Sequence, residues 1–74
     1  MTRKKFVGLR IEMLRKDVTQ QDLARELHLS NGAVHNKFVG RSQFTFAEAY
    51  SIMDLLSLPS EQISTYFKRE DILQ

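Results

Sequence analysis

Two histidines seven residues apart, His28 and His35, and two asparagines five apart, Asn31 and Asn36, share one short stretch, "HLSNGAVHNKFVGR". Imidazoles at such spacing invite a metal, but no cysteine and no convergent carboxylate pair stands near them to complete a site, so no metal is expected. The chain has no cysteine at all. That removes disulfides and thiol redox chemistry and fits a reducing cytosol. No nucleophile with a base, no carboxylate pair in a pocket and no phosphate-cradling glycine loop is recognisable, so neither an enzyme, a cofactor nor a small-molecule ligand is expected. What remains is hydrogen-bonding chemistry. An asparagine amide can pair bidentately with N6 and N7 of an adenine, a contact that discriminates between bases by roughly 1–3 kcal/mol.

For these side chains to act together, the stretch must start a helix and not turn back on itself. Asn31-Gly32 between apolar runs is the strongest short-range signal for a hairpin. The flanking segments "ARELHL" and "AVHNKF" lack the alternation of strands, however. Ser30 as N-cap, Leu29 and Val34 as a hydrophobic staple and Gly40 as the C′ residue predict a short helix over 30–39. With Val34 and Phe38 turned inward, Gly32 and Asn36 point almost opposite them, flanked by Ala33 and His35.

The neighbouring elements carry equally local signals. Thr19 predicts a helix start, with Asp22 completing a short capping box and Val18 stapling on Leu23; "QQDLAREL" then sets Leu23 and Leu27 inward and keeps Ala24 small. A preceding helix is expected from about Arg3 to Lys16, its broad apolar stripe made of Phe6, Val7, Leu9, Ile11, Met13 and Leu14. Thr45 and Glu48 box the start of a fourth helix, about Phe46–Leu56, with Phe46, Ala49, Met53 and Leu56 inward. Pro59 suits the first turn of a fifth that ends near Phe67, after which "KREDILQ" reads as a polar tail carrying Ile72 and Leu73. Phe6, Phe38, Phe44, Phe46 and Tyr50 are all expected in the core and not as a stacking platform for single strands. With three glycines, one proline and no strict alternation, the chain is read as all-α.

Seventy-four residues suffice for a single domain, 1–74, with a core over about 6–67 and a tail over 68–74. A domain of this size buries only roughly 60% of its unfolded surface, so association would help it. The net charge of +2 hides an asymmetry: nine Lys/Arg face four acids up to Arg41, a balance of +5, and two face five beyond it, a balance of −3. A basic half beside an acidic half suits a small phosphate-binding protein. Arg10 and Glu12 interrupt any signal-like apolar run at the start, and no other stretch could span a bilayer, so a cytoplasmic protein with no membrane partner is expected.

Two short helices joined by three residues make a helix-turn-helix candidate, whose second helix would enter the major groove. Counting Gln20 as position one puts Ala24 at five, Leu29 at ten and Val34 at fifteen, where the motif needs one small and two apolar residues. Here the sequence resembles the Cro and phage-repressor family of helix-turn-helix regulators, also called XRE-like. "LRIEMLRKDVTQQDLARELHLS" is similar to the first half of such domains, and "NKFVGRSQFTFAEAYSIMDLL" resembles the K-apolar-x-G-basic, then F-T-x-x-E, arrangement of short Cro-like phage and prophage proteins. The likeness covers about Phe6 to Phe67. His28 departs from it, standing where the family usually has a glycine in the left-handed conformation, which histidine tolerates better than a β-branched residue.

The resemblance implies a five-helix lambda-repressor-like DNA-binding domain that acts as a transcriptional regulator on double-stranded operator DNA. Asn31, Gly32, His35 and Asn36 are the candidate base contacts, Asn36 foremost. The family likeness sets Gln20 on the phosphate backbone, where its amide could also brace the start of the third helix. Ser30, Lys37, Arg41 and the Arg3/Lys4/Lys5 arm are further phosphate candidates, which position without reading sequence. Ile63, Tyr66, Phe67, Ile72 and Leu73 form the expected homodimer surface; alternatively, Ile63 and Phe67 close the core against the first helix. The competing function is a protein-interaction module, an antirepressor or adaptor on the same scaffold.

Overall fold

Five helices, α1 (Val7–Arg15), α2 (Gln20–Leu27), α3 (Asn31–Phe38), α4 (Phe46–Leu55) and α5 (Ile63–Tyr66), build the protein in a computed structural model that describes residues 5–73. Short 3-10 turns at Ser60–Gln62 and Arg69–Asp71 flank α5, and the described residues contain no strand, only an isolated parallel bridge between Phe44 and Ile72. The fold is all-α. No helix among the described residues is long and apolar enough to cross a membrane.

The helix starts follow their local chemistry. Thr19 and Thr45 each close a capping box, with Asp22 and Glu48 respectively, and the Ser30 hydroxyl accepts from the Ala33 N–H at 3.1 Å. In each case a side chain satisfies a first-turn amide that has no intrahelical acceptor. Gly40 follows the end of α3 at φ +89°, as a C′ residue should.

The first helix departs from expectation. It begins at Val7 and not near Arg3, because Phe6 stands in the left-handed region (φ 60°, ψ 41°) and breaks the helical path. Its apolar stripe divides into two faces: Leu9 and Met13 are buried, whereas Val7, Ile11 and Leu14 are 57, 47 and 82% exposed. Arg3 and Lys4 lie outside the described residues.

At the centre of the core, Phe6, Phe38, Phe44 and Phe67 meet edge to face, with ring centroids 5.5–5.8 Å apart. This is the favoured geometry for aromatic quadrupoles. Leu9, Leu23, Val34, Ala49, Ile52, Met53 and Leu56 complete it. Phe46 and Tyr50 do not belong to that core, contrary to expectation; they stack on each other at 6.5 Å and are 51 and 44% exposed. Phe44, held in the loop before α4, takes the inward place, and Ile52 joins the buried face of α4.

The tail is also part of the fold. The Phe44 N–H donates to the Asp71 carbonyl (3.0 Å) and the Leu73 N–H to the Phe44 carbonyl (2.7 Å), which carries Ile72 into the core. Phe67 and Ile72, each 3% exposed, are therefore unavailable as a dimer surface. Ile63 and Tyr66 are half-buried against the same core, and of the five residues expected on that surface Leu73 alone is exposed. Phe67 closes the core beside Phe6, just ahead of α1.

Candidate nucleic-acid interface

The site is built from α2, α3 and the three residues between them. Asp22 anchors the start of α2: its Oδ2 accepts from the Thr19 N–H (2.9 Å) and from the Thr19 hydroxyl (3.0 Å). These two bonds, the backbone one foremost, outweigh the opposing effect of burial and, with a lesser contribution from the nearby Arg25 charge, hold its carboxyl below the usual carboxylate range. At the other end, His28 adopts φ 57°, ψ 40°, and the Leu29 N–H returns to the Ala24 carbonyl at 2.9 Å. The chain thus reverses through one left-handed residue. Ser30, extended at ψ 159°, launches α3. Leu23, Ala24, Val34 and Phe38 are buried along the joint, so the rotation of α3 about its axis is fixed.

That rotation leaves Gly32 and His35 exposed, as the helical wheel predicts, and Asn31 is exposed as well at the open first turn. Their side chains make no hydrogen bond within the described residues, and a Cβ built on Gly32 would meet nothing within 4 Å. Asn36, expected to point almost opposite the core, is instead half-buried beside them, with Arg41 against its side chain. Its Oδ1 accepts from Arg41 Nη1 at 3.5 Å, and its carbonyl accepts from the Arg41 N–H at 2.9 Å. Arg41 is exposed and next to this face. An amide, an imidazole, an open backbone and a guanidinium thus lie exposed on α3 and the residues just after it. No group of three or more His, Cys, Asp or Glu side chains among the described residues is arranged to hold a metal.

Comparison with family models, with curated proteins and with solved structures finds no match to this chain.

Two of the expected phosphate ligands are engaged within the domain, and the expected brace from Gln20 to α3 is absent. Lys37 turns back into the domain, where its ammonium donates to the Gln43 carbonyl (2.7 Å) and pairs with Glu48 (3.2 Å), leaving its side chain 14% exposed. Lys5 pairs with Asp71 at 3.0 Å. Gln20 is half-buried beside Arg10, Leu14, Val18 and Thr19, and its amide makes no hydrogen bond to α3. Ser30 remains exposed while its hydroxyl caps α3. Sequence reasoning missed Gln43, whose side chain reaches the Glu70 carbonyl at 2.7 Å. No local signal marks it, because the two residues are 27 positions apart.

Proposed function

We propose that the protein is a sequence-specific double-stranded-DNA-binding transcriptional regulator of the Cro and phage-repressor type. In this reading it is a five-helix lambda-repressor-like domain of the cytoplasm, α2 and α3 are its helix-turn-helix, and it grips operator DNA as a homodimer. The observation that carries the proposal is the Asn31–Gly32–His35 face of α3: exposed, without internal side-chain hydrogen bonds, and mounted on a joint that buried side chains hold rigid. Residues at the start of a groove-bound helix meet base edges, and an amide with an open backbone beside it suits that task. Asn36 reads an adenine; its 3.5 Å contact with Arg41 is weak enough to be exchanged for a base edge. Arg41 and Ser30, with Arg3 and Lys4 ahead of the described residues, supply phosphate contacts. A second copy would associate through exposed apolar residues such as Leu73, Phe46 and Tyr50.

A mobility shift on a pool of randomised duplexes tests this. Retarded duplexes should share a sequence, and log affinity should fall linearly with log salt at about −0.9 per phosphate contact. Asn36→Ala should lower discrimination at one base position by about 5- to 150-fold. Absence of retardation for every duplex at low salt overturns the proposal. It would favour the second reading, a protein-interaction module acting as antirepressor or adaptor. One observation supports that alternative: Val7, Ile11 and Leu14 form an exposed apolar stripe at helical spacing on α1.

A further inference from the structure

A chain of hydrogen bonds runs from the last turn of α3 to the segment 68–73. Lys37 Nζ donates to the Gln43 carbonyl, and Gln43 Nε2 donates to the Glu70 carbonyl, both at 2.7 Å. The next residue, Phe44, exchanges backbone bonds with Asp71 and Leu73. Asp71, whose side chain is 8% exposed, accepts from Lys5 Nζ through Oδ1 (3.0 Å) and from the Lys68 N–H through Oδ2 (3.2 Å). Lys5 in turn lies over Gly40: an ideal Cβ there would stand 2.7 Å from Lys5 Cε. The loop 39–45, which carries Arg41, is therefore held near its start through Lys5 and at Gln43 and Phe44 directly, both times by the same segment.

We propose that segment 68–73 is a strap that sets the position of α3 and of Arg41, and that Lys37 and Gln43 are positioning residues which touch no DNA. This rests on the DNA-binding reading above and gives it a mechanism. For Lys37 to reach a phosphate it would have to leave both the Gln43 carbonyl and the half-buried Glu48 carboxylate, which keeps one bond, from the Thr45 N–H. Stripping a partly buried carboxylate of its cation is costly, so the ammonium stays where it is.

The experiment uses the duplex that the protein enriches from a randomised pool and, as the nonspecific probe, a duplex of scrambled sequence. Lys37→Met and Gln43→Ala should each weaken binding to the enriched duplex by about three- to tenfold, the worth of one or two hydrogen bonds. Affinity for the scrambled duplex should fall less than that for the enriched one, the salt slope should not change, and Lys37→Arg should restore specific binding. Gln43 is exposed, so its variant folds even if Lys37→Met does not. A salt slope reduced by about 0.9 in Lys37→Met would make Lys37 a phosphate ligand and overturn the proposal. Unchanged specific affinity in Gln43→Ala would overturn it as well.

Amide hydrogen exchange separates this proposal from the functional one. Without any DNA, Gln43→Ala should speed exchange at the Arg41 and Ser42 N–H groups, which bond to the Asn36 carbonyl. If no duplex binds but exchange accelerates, the strap stands and the DNA reading falls. If exchange is unchanged, the strap falls.

Discussion

Replacing Gly32 with alanine adds a methyl group to the first turn of α3 at a point where nothing lies within 4 Å of it. Packing therefore contributes nothing, and the effect on stability comes from the unfolded chain, which loses backbone freedom. Such a change is worth about 0.4–1 kcal/mol in favour of the folded state. For a domain of this size it raises the melting temperature by about 2–8 °C. The same substitution at Gly40 has the opposite sign. That residue sits at φ +89° with the Lys5 stem 2.7 Å from the new Cβ, so alanine brings left-handed strain and pushes away the cation that holds Asp71. A loss of about 1–2 kcal/mol follows from the backbone alone, a drop of about 4–16 °C. Thermal melts followed by circular dichroism measure both, and mobility shifts on the enriched duplex measure the consequence. Gly32→Ala should melt higher yet bind more weakly, because the methyl group stands between backbone and DNA. A lower melting temperature for Gly32→Ala would refute the open first turn, and undiminished binding would refute the close backbone approach.

Lys5→Met should destabilise the domain by about 1–2 kcal/mol, less than the cost of breaking a fully buried pair because Lys5 is 41% exposed, and chemical denaturation will show it as a lower midpoint. Thr19→Ala should lower stability by about 1 kcal/mol through loss of the α2 cap. Asp22 gives a pH test. Its carboxyl titrates below 3.8 in the folded state, so its stabilising effect is present above that pH and disappears as pH falls through the depressed folded value. Asp22→Asn should accordingly show a shallower loss of stability below pH 3.8 than the parent, measured by denaturant midpoints across that range.

The three helix caps at Thr19, Ser30 and Thr45 were legible because cap and amide lie three residues apart in the chain. Gly32 and His35 were legible for a related reason: once Val34 and Phe38 are inward, helical geometry turns them out, although the same geometry does not account for the half-buried Asn36. The split stripe of α1 was not. Six apolar residues on one short segment give two faces, and periodicity alone does not say which one the other helices cover. Phe44 was placed in the core but not in the role it takes from Phe46, since it stands outside any helix. Lys37, Lys5 and Ile72 were misread for one reason. Their partners are Glu48 and Gln43, Asp71, and Phe44, and those meetings exist only after the chain has folded. A positive charge in a sequence announces itself, but which anion it meets is a property of the tertiary structure.

The four rings of the aromatic cluster come from positions 6, 38, 44 and 67, nearly the whole span of the described chain. During synthesis, at about 5–20 residues per second, Phe6 leaves the ribosome seconds before Phe67 is made. Its ring partners Phe38, Phe44 and Phe67 and the neighbouring Ile72 all emerge later than Phe6 itself. The core is thus completed only when Phe67 and Ile72 have emerged, and a nascent chain stopped before Phe67 is left with an open apolar centre for chaperones or proteases to find.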